Sequence, residues 1–306
     1  MPAVVNLDGT VVPPSAARVS VFDRGFLYGD SIYEVIRTYG GRPFEVEAHL
    51  VRLRRSGERI GLEPKWDRDR TAREIERTLE ASRGGDEPDP AAAPWNVGER
   101  YLRVVMTRGA GIIGLDPALA VDPVALVIAQ PLPAPPLRAY VDGVAAAIVG
   151  LRRASPLAID PMAKTGSHLP NVLAIREARA AGAYEAFLLD DDGFVTEGAS
   201  SNVFAVRGGK VVTPPLAAGI LEGVTRGVVL RLARRAGISA EETPLRAEDL
   251  EGADEVFLTS TIREIVPIVR LGSRQVGSGR PGPVTTRLHQ AFRKLASAAV
   301  GGAAPE

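Results

Sequence analysis

Cysteine is absent from this sequence of 306 residues, which excludes disulfides, thiolate catalysis and cysteine-ligated metal. Histidine is scarce: the three histidines, His49, His168 and His289, are dispersed along the chain, so we expect no metal site. Neither sign of charge is in excess, because 37 basic residues balance 37 acidic ones. Nucleic acids and acidic membranes attract a basic excess, so neither partner is expected.

Long apolar runs are also missing. No stretch approaches the roughly 20 apolar residues that a membrane-spanning helix requires. The N-terminus does not combine a positively charged segment with an apolar core, as a signal peptide does. We therefore expect a cytoplasmic protein with no membrane partner. Its length suffices for two domains, each with its own core.

Proline marks the clearest division of the chain, at 131–137, which we interpret as a stiff interdomain linker. The linker predicts a small N-terminal domain at 1–130 and a larger C-terminal domain at 138–306 that carries Lys164. The first part mixes strands and helices and the second alternates them, so the expected fold class is α+β to α/β. Residues 83–94 are rich in proline, glycine and acidic residues and predict a surface loop.

The spacing of apolar residues predicts the main elements. Strands are expected at 31–39, 101–108, 123–130, 145–151, 186–189, 202–207 and 255–259, and helices at 47–60, 68–82, 171–181, 224–236 and 285–296. In the first of these helices Leu50, Leu53 and Ile60 form an apolar face, with arginines opposite.

Lys164 lies in a setting of small and apolar residues, Met162-Ala163-Lys164-Thr165-Gly166-Ser167-His168. Lysine is rare in this chain, which uses arginine instead. A lysine that attacks an aldehyde must be neutral, so it needs a desolvated pocket or a positive neighbour. From this residue alone, a surface lysine in a loop is an equally good interpretation.

Two features that follow Lys164 in the sequence could act together with it. Glu197 follows an acidic turn at 190–193, where it could hold a protonated ring nitrogen or be a solvated hairpin glutamate. Gly223-Val224-Thr225 opens a helix whose N–H groups and dipole suit a phosphate, although such a start is also an ordinary cap. An amine, a carboxylate and a phosphate-binding helix start are the groups that pyridoxal 5'-phosphate (PLP) chemistry needs.

The spacing Glu197-Gly198-x-x-x-Asn202-x-Phe204 resembles a signature of the class IV (fold type IV) PLP-dependent aminotransferases. Lys164, with Asn171-Val172-Leu173-Ala174 seven residues on, resembles the lysine loop of the branched-chain and D-amino-acid members. The resemblance extends from Val19 to Pro267. It implies a two-domain fold with PLP in the interdomain cleft, a homodimer, and ping-pong transfer of an amino group between a small-molecule amino acid and a 2-oxo acid.

The resemblance also implies a set of cofactor contacts. Lys164 would bind PLP as a Schiff base and move protons, and Glu197 would face the ring nitrogen. His168 stands near where branched-chain enzymes place a tyrosine, although it could equally be a loop histidine without this role. The remaining expected contacts are Arg52, Gly223, Val224, Thr225, Ser260 and Thr261 for the phosphate, and Leu221 for the ring face.

The substrate motifs are mixed. Tyr33-Glu34-Val35 resembles the D-amino-acid enzymes, whereas Tyr101-Leu102-Arg103 and the segment 107–117 resemble the branched-chain group. The Arg-x-His carboxylate motif of typical D-amino-acid enzymes is missing. Arg37 and Arg103, with Arg24 behind them, are the candidates for binding a substrate carboxylate, and Tyr33 for lining the pocket. Both candidate arginines could equally be structural.

Other functions are compatible with parts of this pattern. A 4-amino-4-deoxychorismate lyase would use the same lysine for elimination. A PLP-binding or nucleotide-binding protein without turnover would explain Gly223-Val224-Thr225, but not Lys164 together with Glu197. The chain has no Gly-x-x-x-x-Gly-Lys stretch typical of nucleotide-binding loops. The preferred donor stays open among L-branched-chain amino acids, D-amino acids and (R)-amines.

Overall fold

A computed structural model describes residues 3–83, 91–133, 135–155 and 157–299. Its contacts divide the chain into two compact units. The N-terminal unit comprises the described residues up to Pro133 together with Ala163–His168, and the C-terminal unit comprises the remainder. Most of the surface loop predicted at 83–94 lies outside the described residues.

The N-terminal unit contains eight described strands and three α-helices. They are β1 (Val4–Leu7), β2 (Thr10–Val12), α1 (Arg24–Tyr28), β3 (Ser31–Tyr39), β4 (Arg42–Pro43), α2 (Val46–Arg59), α3 (Arg68–Ala81), β5 (Arg100–Thr107), β6 (Ala110–Gly111), β7 (Ala120–Asp122) and β8 (Ala125–Pro131). Six strands form an antiparallel sheet in the order β2-β1-β8-β5-β3-β4, and β6 pairs with β7.

Strand alternation separates the two faces of this sheet. The core face carries Ile32, Ile36, Leu102, Val104 and Met106, which pack in one cluster with the apolar residues of α2 and α3. Helix α3 begins where the Asp67 carboxylate accepts the Arg70 N–H at 2.7 Å, an N-cap. The opposite face carries Tyr33 and Arg103.

The described part of the C-terminal unit contains five α-helices and nine strands. They are α4 (Arg138–Val141), β9 (Val144–Arg152), α5 (Leu169–Ala180), β10 (Glu185–Leu189), β11 (Val195–Gly198), β12 (Asn202–Arg207), β13 (Lys210–Thr213), α6 (Val224–Arg235), β14 (Ala240–Glu242), α7 (Ala247–Glu251), β15 (Glu255–Ser260), β16 (Glu264–Leu271), β17 (Arg274–Gln275) and α8 (Pro283–Ala298).

The described strands of this unit form one mixed sheet in the order β11-β10-β9-β16-β15-β12-β13-β14, with β17 beside β16. Strand β9 pairs in parallel with both β10 and β16. Helix α5 packs Ala174 and Ala178 against Ala147, Val149 and Leu188 of β9 and β10. No helix in the described part of the chain is long and apolar enough to cross a membrane.

The lysine segment Ala163–His168 belongs to the N-terminal unit. This position differs from the expectation that Lys164 belongs to the C-terminal domain. The reason is hydrogen bonding over a long sequence separation, because the segment forms a β-bridge to strand β3 between Ile32 and Thr165. The linker predicted at 131–137 stays a prediction.

Candidate active site

The lysine segment runs along β3. The Tyr33 N–H donates to the Lys164 carbonyl at 3.1 Å, and the Gly166 N–H donates to the Ser31 carbonyl at 3.0 Å. A larger residue would not fit at position 166, because a Cβ there would lie 2.3 Å from Ser31 Oγ. The small residues that drew attention to Lys164 therefore let its backbone bond directly to β3.

On the face of the N-terminal sheet opposite the core, two basic side chains contact the ring of Tyr33. Lys164 Nζ lies 4.5 Å from the centre of the Tyr33 ring, and the guanidinium carbon of Arg103 lies 4.0 Å from it. Cation–π attraction accounts for both contacts. Among the described residues of the chain, no carboxylate pairs with Lys164 or Arg103. Within the described part of the chain, this face therefore presents two basic side chains without a carboxylate partner.

His168 meets the Tyr33 ring edge-on, with the ring centroids 4.8 Å apart. Burial lowers the pKa of His168 to about 4, helped by the positive charges of Arg103 and Lys164. The imidazole is therefore neutral at neutral pH. Its Nε2 atom is buried without a hydrogen-bond partner among the described residues, and a buried polar atom is costly until it is paired.

The core face of the same strand holds a different cluster, centred on the fully buried Glu34. Arg52 Nε and Nη2 donate to the two Glu34 oxygens at 2.7 and 2.8 Å, and His49 Nδ1 donates to Glu34 Oε2 at 2.7 Å. Burial raises the pKa of the Glu34 carboxyl, but Arg52 and His49 outweigh burial and hold that pKa well below its ordinary value.

Glu34 and His49 were missed as partners of Arg52 in the sequence. The available signal was weak: an acidic residue inside an apolar strand, and a histidine and an arginine three residues apart on one helix face. Arg52 was expected to bind phosphate or to be a solvated surface arginine. Its burial excludes the second interpretation, and the phosphate role stays a prediction.

Arg37 does not fit its predicted role in substrate binding. Its side chain is completely buried, Nη2 donates to Asn96 Oδ1 at 2.9 Å, and the guanidinium stacks 4.1 Å from the Tyr39 ring centre. No surface of Arg37 is left for a substrate carboxylate. The guanidinium of Arg24 is likewise hydrogen-bonded within the protein, since Nε donates to Asp30 at 3.1 Å and Nη1 donates to the Gly114 carbonyl at 2.7 Å.

In the C-terminal unit Glu197 is buried and held from three sides. Arg153 Nη2 lies 2.7 Å from Glu197 Oε1, and the Leu221 N–H and Asn202 Nδ2 donate to Oε2 at 3.0 and 3.3 Å. The solvated-hairpin interpretation is therefore excluded. Sequence reasoning missed Arg153, which lies 44 residues before Glu197 and just beyond the end of β9.

The start of α6 is built around Gly223. A Cβ at this position would lie 1.9 Å from Asn202 Oδ1, so a larger residue would displace the asparagine that supports Glu197. No side chain caps the described helix at Gly223, which leaves the first N–H groups of a 12-residue helix for an anion. Thr225 is buried, and Leu221 and Val224 are half-buried at the same end.

The remaining predicted residues lie in the turn between β15 and β16. Ser260 and Glu264 pair across the two strands, and Thr261 lies in the turn between them. Ser260 and Thr261 are half-buried and Thr259 is buried. This unit thus holds a fixed carboxylate, an uncapped helix start and a hydroxyl-bearing turn.

Comparison with known proteins identifies the class. A family model described as amino-transferase class IV matches residues 31–271. The chain belongs to the class IV aminotransferases, it is an aminotransferase, and members of this class use PLP. The predicted family, two-domain fold and enzyme class are confirmed, and the lyase alternative is not favoured.

Individual relatives agree with this assignment. The chain is 32% identical over 289 residues to the D-alanine aminotransferase of Bacillus licheniformis, covering 94% of this chain and 95% of that protein. The structure of the branched-chain amino acid aminotransferase of Escherichia coli matches with a TM-score of 0.88, at 30% identity and with 97% and 96% coverage. A branched-chain enzyme from the organism abbreviated T.th., complexed with N-(5'-phosphopyridoxyl)-L-glutamate, matches with a TM-score of 0.85, at 28% identity and with 97% and 95% coverage.

Proposed function

We propose that this protein moves the amino group of an α-amino acid to a 2-oxo acid, with PLP bound at Lys164. The observation that carries the proposal is the pair of cations on the Tyr33 ring, Lys164 and Arg103, neither of which has a carboxylate partner in the described chain. A cofactor aldehyde would occupy the lysine, and a substrate carboxylate would neutralise the arginine.

The residues present fit the cofactor in each unit. In the C-terminal unit, Glu197 would face the pyridine nitrogen, because Arg153 and the Leu221 N–H already fix its carboxylate. Gly223, Val224 and Thr225 would receive the phosphate at the helix start, together with Ser260 and Thr261, and Leu221 would pack on the ring. In the N-terminal unit, Arg52 would contribute to the phosphate and the unpartnered His168 Nε2 would bind the phenolic oxygen.

When bound, PLP supplies an electrophilic aldehyde and a ring that accepts the electron pair released at the substrate Cα. The protein supplies everything else. Lys164 Nζ would hold the cofactor, and as a free amine it would remove the proton at the substrate Cα. Tyr33 keeps that amine in place through its ring. The neutral His168 can share a hydrogen bond without adding charge to the site.

Arg103 sets the substrate class. Its guanidinium lies over the Tyr33 ring and is half-buried, and a planar fork suits a carboxylate better than a lysine ammonium would. We therefore infer an α-amino acid rather than a simple amine. The relatives include enzymes named for branched-chain amino acids and for D-alanine, so both L-branched-chain and D-amino acids are retained as donors.

The predicted homodimer and cytoplasmic location also remain proposals. Exposed apolar side chains near the start of α1 and in the 110–121 segment include Phe22, Phe26, Ile112 and Leu115. These parts are joined by the Asp23–Ala110 bridge. Exposed apolar clusters of this kind mark protein interfaces, and we propose a second copy of the chain as the occupant.

The test is an amino-exchange assay with the purified protein. D-alanine, L-leucine and (R)-1-phenylethylamine are offered in turn, first alone with spectroscopic detection of the half-reaction and then with 2-oxoglutarate or pyruvate. We expect stoichiometric conversion with an amino acid alone and turnover with an acceptor. Turnover of (R)-1-phenylethylamine but of neither amino acid would contradict the role of Arg103. Absence of conversion with every donor would contradict the proposal as a whole.

A further inference from the structure

The side chain of Arg263 donates hydrogen bonds to three parts of the C-terminal unit. Nη1 donates to Glu185 Oε2 at 2.7 Å, and Nη2 donates to the Ser200 carbonyl at 2.9 Å and to Ser200 Oγ at 3.0 Å. Nε donates to Ser260 Oγ at 3.1 Å. Each nitrogen of the guanidinium therefore has a protein acceptor, so the side chain is fixed.

The contact with Ser260 is double. The Arg263 backbone N–H also donates to Ser260 Oγ, at 3.2 Å. A serine hydroxyl has two acceptor lone pairs and one proton. Because Arg263 fills both acceptor positions, the hydroxyl proton is left for donation to another group. One of the two donors is charged, which polarises the hydroxyl further.

The turn that carries Ser260 is also held from its other end. Glu264 follows Arg263 with a φ of 57°, a left-handed conformation that is uncommon for a residue other than glycine. Its buried carboxylate accepts from His289 Nε2 and Arg293 Nη1, both at 2.8 Å. A strained residue of this kind persists where its surroundings fix it. The direction of the Ser260 hydroxyl is therefore set by a rigid turn.

We propose that Arg263 is a positioning residue that presets the Ser260 hydroxyl as a hydrogen-bond donor to the phosphate of the cofactor. Arg263 acts through Ser260 and does not itself touch the phosphate, because Glu185 and Ser200 occupy its other nitrogens. This inference rests on the proposed PLP function and goes beyond it. It assigns to Arg263, which does not touch the cofactor, the orientation of the Ser260 hydroxyl that would contact the phosphate.

The experiment compares the affinities of the cofactor-free full-length chain for PLP and for pyridoxal, which lacks the phosphate. We expect R263Q to weaken PLP binding about 10-fold, the typical worth of one hydrogen bond to a charged group, and to change pyridoxal binding less than about 2-fold. S260A should show the same weakening of PLP binding as R263Q and the same small change in pyridoxal binding. The double variant R263Q/S260A should match S260A alone, because both changes remove the same contact.

Two outcomes would overturn the proposal. An equal loss for PLP and pyridoxal in R263Q would mean that Arg263 only stabilises the fold. Additive losses in the double variant would mean that Arg263 acts on the phosphate independently of Ser260. Ser200→Ala is the matched control: it removes a hydroxyl that contacts Arg263 without contacting Ser260, so the ratio of PLP to pyridoxal affinity should stay unchanged.

A further variant separates a loss of folding from a loss of PLP binding. Removing Arg263 leaves the fully buried Glu185 without its cation, which is destabilising. The variant E185Q/R263Q removes both charges and should fold, with the same loss of PLP preference as R263Q. If the wild-type chain binds no PLP at Lys164, the proposed function fails; if it does and E185Q/R263Q keeps the full PLP preference, the role of Arg263 alone fails.

Discussion

The two faces of strand β3 carry charged clusters of opposite character. On the core face, Glu34, His49 and Arg52 satisfy one another, and all three are buried. On the other face, Lys164 and Arg103 share the Tyr33 ring without a carboxylate among the described residues. Alternation along one strand thus separates a charged cluster that is paired within the protein from two basic side chains that have no carboxylate partner in the described part of the chain.

The largest expected effect concerns the second face. Lys164→Ala should reduce turnover by at least about 10³-fold, because the residue both holds the cofactor and moves the Cα proton. Steady-state transamination with the best donor measures this. Lys210→Ala, which changes a partly exposed lysine at the start of β13, is the matched control and should keep its activity. A Lys164→Ala enzyme within about 10-fold of wild type would place the chemistry elsewhere.

The next effect concerns the core face. Glu34→Gln should destabilise the protein by about 3–5 kcal/mol, since it leaves the Arg52 cation buried without its partner. Urea unfolding of the cofactor-free chain gives the value. Arg103→Met removes a charge from the opposite face and should cost under about 1 kcal/mol. Equal losses of stability in the two variants would abolish the distinction between the faces.

Arg103→Met should have its main effect on substrate binding. We expect KM for the amino acid to rise roughly 30- to 100-fold, corresponding to about 2–3 kcal/mol of lost carboxylate binding. Steady-state kinetics at saturating acceptor gives KM and kcat separately. Arg103→Lys keeps the charge but not the planar fork, so an intermediate KM is expected. An unchanged KM in both variants would remove Arg103 from the substrate site.

The smallest effect is a pH dependence at His168. The unfolded imidazole titrates near 6.5 and the folded one has a pKa of about 4, so between these values the unfolded chain binds more protons and stability falls as the pH is lowered. Relative to His168→Gln, the wild-type chain should lose about 1–2 kcal/mol between pH 7 and pH 4, after allowance for partial exposure. Unfolding curves at several pH values measure this. A constant difference would mean that His168 titrates normally.

Contiguous motifs made much of the C-terminal unit predictable from sequence. Helix α6 was expected at 224–236 and begins at Val224, because apolar periodicity and the preceding glycine define it locally. Glu197 was identified because its neighbours are part of a fixed spacing. Its partner Arg153 could not be found this way, since the contact depends on how β9, β10 and β11 lie side by side.

Predictions that depended on packing failed or were incomplete. Arg37 was a candidate for substrate binding because a carboxylate favours a guanidinium, but its side chain is buried and donates to Asn96 Oδ1, 59 residues along the chain. The Glu34–Arg52 pair requires α2 to pack on β3, which composition and spacing do not reveal. The position of the lysine segment beside β3 could not be predicted, because its hydrogen bonds to β3 span more than a hundred residues.

The most direct test of the account is borohydride reduction of the protein with its cofactor, followed by peptide mapping by mass spectrometry. The account predicts one pyridoxyl phosphate adduct, on Lys164, and none in the Lys164→Ala variant. An adduct on Lys65, Lys210 or Lys294, or no adduct on any lysine, would contradict it.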